Sequence, residues 1–514
     1  MTSAERRWCW IFSGALAVIT SVPYVVGFAS QGTEWRFTGF VFAVEDGNSY
    51  LAKMLLGASG DWLFRTPYST MAQRGALAFL PYLLVGKLAA GPTLPEQLIG
   101  LFHLFRILAT PWAVFATYRF VSLWLNAAWL RRWATALACV GGGLGWAALA
   151  LPQARPPLEF YSPESFGFLA FLGLPHLILS RALLLDGMSA YVTTTAGGGQ
   201  GARAAILFTA AGLVQPVVLA TAFAVILIHG LLGALFGQFG LAGWLRRAAP
   251  ILAPAGLLAA AYAAMLAGDP FLQTWARQNR VLSPPPLDYL LAYGVVIGLA
   301  MWSVRRGVRD RTFRAWLPLA WAAAFPLLAY APVNLQRRLP EGTWIVLLIL
   351  AALGLDQWKR RSLAAAVFAG ISLPSTVLLM FGGISTASVP RHPAFYPAAE
   401  ARAADWLRST ANRSAVVLSA YPVGNRLPAR APVRVVIGHG PETANLDVLL
   451  PAVGRFFSSG DDEERRRLLA EQRVNYVFWG PAERELGSWY PGQLAELIRV
   501  YVDQGYEIFR VGRP

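Results

Sequence analysis

The stretch RRWCWIFSGALAVITSVPYVVGFA, residues 6–29, decides the class of fold. Behind two arginines, residues 8–29 are apolar over the roughly 20 residues that a membrane-spanning helix needs. No small-residue cleavage site follows, and many further apolar runs do. The segment therefore reads as a retained first helix with a cytoplasmic N-terminus rather than a cleaved signal peptide. Residue 30 onward then lies outside.

Further apolar runs cover residues 98–124, 133–151, 166–186, 204–236, 249–267, 287–303, 314–331, 343–355 and 362–382. Residues 76–90 are apolar but short and contain Pro81, so they read as an interfacial helix. The run 204–236 is too long for one span and breaks at Gln215-Pro216, so it reads as two, which brings the expectation to about eleven crossings. Of the 514 residues 56% are hydrophobic and 14% charged, too little polar surface for a soluble fold. The net charge of +16 raises the question of nucleic acid. Its cations, however, sit between apolar runs, at Arg131 and Arg132, Arg246 and Arg247, Arg305 through Arg314, and Lys359 through Arg361. That is the positive-inside pattern, which orients loops and excludes a nucleic-acid partner. Cys9 and Cys139 lie in apolar segments and offer neither a disulfide framework nor metal spacing.

With the basic clusters in the cytoplasm, the outer side receives the large loop 30–97, the loops 152–165, 268–286 and 332–342, and everything after 383. From Ser385 the composition turns mixed and polar. Strand-like runs at 416–420, 434–438, 474–479 and 507–511 alternate with helical patterns at 398–409, 461–472 and 493–502. The expected organisation is thus a polytopic α-helical membrane domain, residues 1–384, followed by a soluble extracytoplasmic α/β domain, residues 385–514. No internal repeat is visible.

Within the first outer loop, residues 40–70 read FVFAVEDGNSYLAKMLLGASGDWLFRTPYST. Glu45 and Asp46 stand out because the chain otherwise keeps acidic groups out of its apolar runs. A carboxylate pair at the mouth of a bundle costs solvation energy unless it is hydrated, paired or used. A turn at Gly47-Asn48 and a helix from about Ser49 would let Asp46 cap the helix, with Tyr50 and Lys53 sharing one face. The plainer alternative is a helix cap with a solvated neighbour. Trp35, Phe37, Phe40, Phe42, Trp62 and Phe64 surround the motif and suit a lipid interface.

Here the chain resembles the GT-C superfamily of membrane glycosyltransferases, which carry an acidic motif in the first outer loop and use polyprenyl-phosphate-linked sugars. Glu45-Asp46 stands where that motif would be. GALAFLPYLLVGKLAAGPTLPEQLIGLFHLFRILATPW, residues 75–112, looks like the family's amphipathic outer helices leading into a second span with an early arginine, Arg106. The resemblance covers roughly residues 8–385. The chain is also similar to a group of bacterial polytopic membrane proteins with motifs like SYLAKM, NLQRR and GHGPET.

The resemblance implies an inverting glycosyltransferase at the outer face of the plasma membrane. It would move a sugar from a polyprenyl-phosphate donor to a glycan, lipid or protein acceptor. One carboxylate must take the acceptor's proton, with Asp46 the first choice and Glu45 the second. The leaving phosphate needs cations, for which Arg337, Arg338, Arg280 and the intramembrane Arg106 are the candidates. Arg337 and Arg338 are alternatively a headgroup anchor or partners of Glu341. Tyr50, Lys53 and His176 are further candidates, the last about ten residues into the fourth span, where a lone histidine is more often a satisfied core group. His439 and Glu442 make an incomplete metal site and read as turn and cap residues. The sequence does not decide whether a divalent metal such as Mg or Mn takes part; Asp46 is where one would bind. Two other classes compete. A lipid or solute transporter is disfavoured by the lack of repeats and of acidic groups within the spans. The other is a non-catalytic membrane assembly protein on the same scaffold.

Overall fold

The computed structural model describes residues 1–150, 155–194, 199–305, 312–458 and 460–512. The start of the expected loop 152–165 and residues 306–311 of the basic cluster from Arg305 to Arg314 lie outside the described residues. Among the described residues six helices are long and apolar enough to cross a membrane: Ser3–Ser30, Leu94–Val121, Val218–Leu235, Leu241–Gly268, Pro286–Ser303 and the helical stretch Arg361–Ser388. Gln200–Val214, Phe313–Ala329 and Thr343–Leu355 are shorter apolar helices.

Proline decides where several apolar runs divide. One helix ends at Val214 and the next begins at Val218, because Pro216 lacks an N–H and pushes Gln215 to an extended φ of −146°. The run 166–186 likewise splits at Leu174-Pro175 into Gly167–Gly173 and Pro175–Thr193. His176 consequently sits in the first turn of the second helix rather than ten residues into a span. Of residues 76–90 only Leu80–Gly86 is helical.

The chain folds as two compact units. The first comprises Met1–Val22, Phe105–Ala264 and Arg280–Gly382, and the second Pro23–Leu104, Met265–Asn279 and Gly383–Pro514. The first unit is helical and sets several of its charges in pairs, which a low-dielectric interior favours. Arg181 pairs with Glu341, both almost fully buried. Arg119 lies 2.6 Å from Asp186 and Arg131 2.7 Å from Glu5. Glu341 is thus taken by Arg181, not by Arg337 or Arg338 as the alternative reading had it.

The second unit holds the strands. β1 (Trp35–Phe37) pairs antiparallel with β2 (Phe395–Pro397), Arg36 opposite Tyr396. A mixed five-stranded sheet is built from β3 (Val416–Leu418), β4 (Arg434–Val435), β5 (Tyr476–Trp479), β6 (Leu497–Asp503) and β7 (Tyr506–Val511), in the order β4-β3-β5-β7-β6. Residues 493–502, expected as a helix, are largely β6. Its hairpin with β7 turns on Gln504 and Gly505, both at positive φ (42° and 82°), which is the backbone that a tight hairpin turn needs. Alternation along the strands splits the core. Val417, Val435, Phe478 and Ile508 face one cluster with Ala52, Tyr68 and the helices Ala398–Thr410 and Tyr421–Arg430. Val416, Leu418, Val477 and Phe509 face the other, under the helices Leu446–Phe457 and Asp462–Glu471.

Candidate active site

The acidic motif lies inside a helix, not before one. Ala43 adopts a left-handed backbone (φ 46°) and its carbonyl accepts from Gly47 N at 2.9 Å, so the helix Val44–Ala58 starts five residues earlier than expected. Glu45 and Asp46 fall in its first turn, where unpaired N–H groups favour negative charge. Two close approaches fix this helix. A Cβ on Gly47 would stand 2.4 Å from the Phe40 ring, and one on Gly57 would stand 2.0 Å from the Leu83 carbonyl oxygen. Gly86 returns the second contact, its Cβ position 1.9 Å from the Met54 carbonyl oxygen.

From this helix Lys53 points inward. Its ammonium is buried, 4.2 Å from the centre of the Phe79 ring and 2.5 Å from Glu442 Oε1. Glu442 also accepts from Ser49 Oγ at 2.8 Å and from Thr66 Oγ1 at 2.6 Å. Burial alone would raise the Glu442 carboxyl, but Lys53, His439 and the hydrogen bonds outweigh it and hold the group below the usual carboxylate range. Beside this pair, His439 Nε2 lies 3.2 Å from Asp46 Oδ1. A carboxylate only accepts, so the imidazole donates from Nε2, and Nδ1 is left facing Glu442 Oε1 at 3.8 Å. Tyr68 packs on the imidazole at 5.4 Å. Asp46 itself is 53% exposed, whereas the His439 side chain is 6% exposed. The carboxylate therefore meets solvent while its partner is fixed.

Glu45 is anchored differently. It accepts from Gly440 N at 2.9 Å and from the Tyr421 hydroxyl, whose phenol is raised by burial and then by Glu45 itself. Asn425 donates to the Glu45 carbonyl at 3.2 Å and accepts from Asn48 at 2.8 Å. The GHGPET segment, residues 438–443, therefore meets the acidic motif at two points, Gly440 and His439, and the same helix further on through Glu442. Reading His439 and Glu442 as turn and cap residues missed this. The available signal was Lys53, a lysine inside YLAKMLL that needs a buried anion.

The other candidates are placed as follows. Tyr50 stacks on Tyr82 at 4.6 Å between ring centres, so it packs. Arg106 is 1% exposed and donates to Thr20 Oγ1 at 2.7 Å, Ser21 Oγ at 2.8 Å and the Phe171 carbonyl at 3.3 Å. His176 is buried. The loops carrying Arg280 and Arg337 are zipped together, with Val281 N donating to Asn334 O at 2.6 Å and Arg337 N to Val281 O at 3.2 Å. The Arg337 guanidinium lies 4.7 Å over the Tyr161 ring, and Arg338 Nε is 3.6 Å from Glu164. Among the described residues no group of three or more His, Cys, Asp and Glu is arranged to hold a metal ion; Asp46 and His439 supply two ligands at most.

No protein-family model matches the sequence, and no curated protein matches it either. Solved structures do. The oligosaccharyltransferase of Archaeoglobus fulgidus, tethered with an acceptor peptide, superposes with a TM-score of 0.57 at 13% identity, over 92% of this chain and 69% of that one. ArnT from Cupriavidus metallidurans bound to undecaprenyl phosphate gives 0.51 at 12% identity, over 97% and 98%. The fold is that of the GT-C membrane glycosyltransferases. Arabinofuranosyltransferase AftD from Mycobacteria shares it at 0.52 and 16% identity, over 99% of this chain and 40% of that one.

Proposed function

We propose that this GT-C protein is an inverting glycosyltransferase that takes a sugar from a polyprenyl-phosphate donor and acts at the outer face of the plasma membrane. The observation that carries the reading is the half-exposed Asp46 carboxylate held against His439 at 3.2 Å. A fixed, solvent-facing carboxylate is what the attacking hydroxyl needs as general base. Buried His439 orients it and stabilises its charge, and Glu45, tied to Gly440 and Tyr421, holds the helix turn in register. The donor's phosphate is assigned to Arg337 and Arg338, with Arg280 on the adjoining loop, since forked guanidinium donors suit a phosphate. Arg106 is spent on hydroxyls and a carbonyl and serves helix packing instead. ArnT bound to undecaprenyl phosphate supports a polyprenyl carrier. The membrane arrangement is about eleven crossings, with residues 30–97 and 385–514 outside and the latter forming an α/β domain; a divalent metal at Asp46 would need ligands from donor or water.

The test is complementation of a deletion strain with Asp46→Asn, read by mass spectrometry of surface glycans and polyprenyl-linked intermediates. The expected result is donor accumulation and a fall in transfer of roughly 10²- to 10⁴-fold at unchanged protein level. A restored glycan profile removes Asp46 from the chemistry.

A further inference from the structure

A second cavity, of about 840 Å³, opens in the second unit beside the helices Leu446–Phe457 and Asp462–Glu471. Five arginines and two glutamates line it. Two of the arginines already have carboxylate partners: Arg455 lies 2.7 Å from Glu464, itself in the wall, and Arg465 lies 3.1 Å from Asp462, donates to the Phe456 carbonyl at 2.9 Å and packs on the Trp489 ring. Arg434, Arg467 and Arg473 have no carboxylate partner among the described residues. Arg434 donates only to the carbonyls of Ser69 and Met71. Arg473 closes the end of the helix at a φ of 53°, a position that glycine fills most easily, and that conformation places its side chain on the cavity wall.

The cavity and the candidate site are built from adjoining stretches of chain. Ser69, in its wall, follows Tyr68, which packs on His439; Ala444, also in the wall, follows Thr443 of the GHGPET segment. The remaining lining sets Thr70, Asn445 and Gln472, groups suited to hydroxyls, beside apolar Val448, Leu449 and Phe456, which suit the faces of a sugar ring. Its volume lies within the range of about 300–1,000 Å³ usual for ligand sites.

We propose that this cavity binds the acceptor's anionic portion, a saccharide bearing carboxylate or phosphate groups. The proposal rests on the transferase reading above. Arg467 and Arg473 provide forked donors matched to either anion, Arg434 adds a third positive charge, and the polar groups of the wall provide for the sugar hydroxyls.

Isothermal titration of the full-length protein in detergent tests it with four probes: trigalacturonate, glucose 6-phosphate, neutral maltotriose and inorganic phosphate. At least one charged sugar should bind, more tightly than maltotriose or phosphate alone, and binding should weaken with added salt. Arg467→Gln/Arg473→Gln, two exposed positions, should weaken that binding at least about tenfold while leaving thermal unfolding unchanged. Failure of both charged sugars to bind, equal binding of maltotriose, equal binding of bare phosphate, or an unaffected double variant would each overturn the proposal. Asp46→Asn should leave probe binding intact. Should that variant also keep full transfer, the catalytic assignment fails while the cavity stands as an anionic-saccharide site.

Discussion

Lys53 and Glu442 carry opposite charges where neither reaches water, so each depends on the other. Lys53→Met alone leaves a buried carboxylate and should destabilise by about 3–5 kcal/mol. Lys53→Met/Glu442→Leu, which removes both charges, should regain most of that loss in thermal unfolding. The Glu442 carboxyl is held below the usual range, so its contribution is present above its ordinary pKa of 4.5 and lost as pH falls through its lower folded value. The wild type should therefore lose stability on acidification below about pH 4.5, and the double variant should lose less. Glu483 runs the other way. Burial raises it to about 7, against the N–H groups of Ala420 and Gly480 that favour its charge. Its contribution is complete below pH 4.5 and disappears as pH rises through about 7, a swing of roughly 3 kcal/mol. Glu483→Gln should flatten the decline between those values. Arg337→Lys and Arg338→Lys keep the charge but lose the fork, so donor titration should show a raised KM with folding intact. Unchanged kinetics in both returns the pair to headgroup anchoring.

At the scale of elements, the helix carrying the acidic motif is held by close backbone contact as well as by its side-chain bonds. Gly57→Ala would drive a methyl into the Leu83 carbonyl at 2.0 Å and should cost about 1–3 kcal/mol. Transfer should fall with it, because the same helix positions Asp46; an unaltered melting temperature would show that the two helices separate freely. The long helices were legible in the sequence because twenty apolar residues in a row admit few other structures. Pro216 marked a true break, and so did Pro175, which the run alone concealed. β6 was misread because LIRVYVD is short and its apolar residues fit either period; Gln504-Gly505, an unusual hairpin pair, was the overlooked signal. Asp46 was sought as a cap because Gly47 suggested a turn, whereas the turn lies at Ala43.

For the whole molecule, the proposed topology places residues 30–97 and the residues after 383 on one side. Thr33→Cys and Glu463→Cys, at exposed positions, should both react with an impermeant thiol reagent applied outside, and Gln357→Cys should not. Cys9 and Cys139 are buried and should stay silent. Labelling of only one of the first two positions would sink the map. Half of the candidate site was legible: Glu45 and Asp46 stood out by their place, but His439 and Tyr421 reach them, and Glu442 reaches Lys53, from almost four hundred residues away, a distance that no local pattern spans. That separation also sets a timetable. Lys53 precedes Glu442 by 389 positions, and Thr38 precedes its partner Ala394 by 356. At roughly 5–20 residues per second, a ribosome takes about 20–80 s to deliver the counterion. Throughout that interval the nascent first loop carries an unneutralised lysine among aromatic rings and cannot close. The acidic motif thus matures only when the last quarter of the polypeptide emerges, so an unfinished chain carries no assembled site.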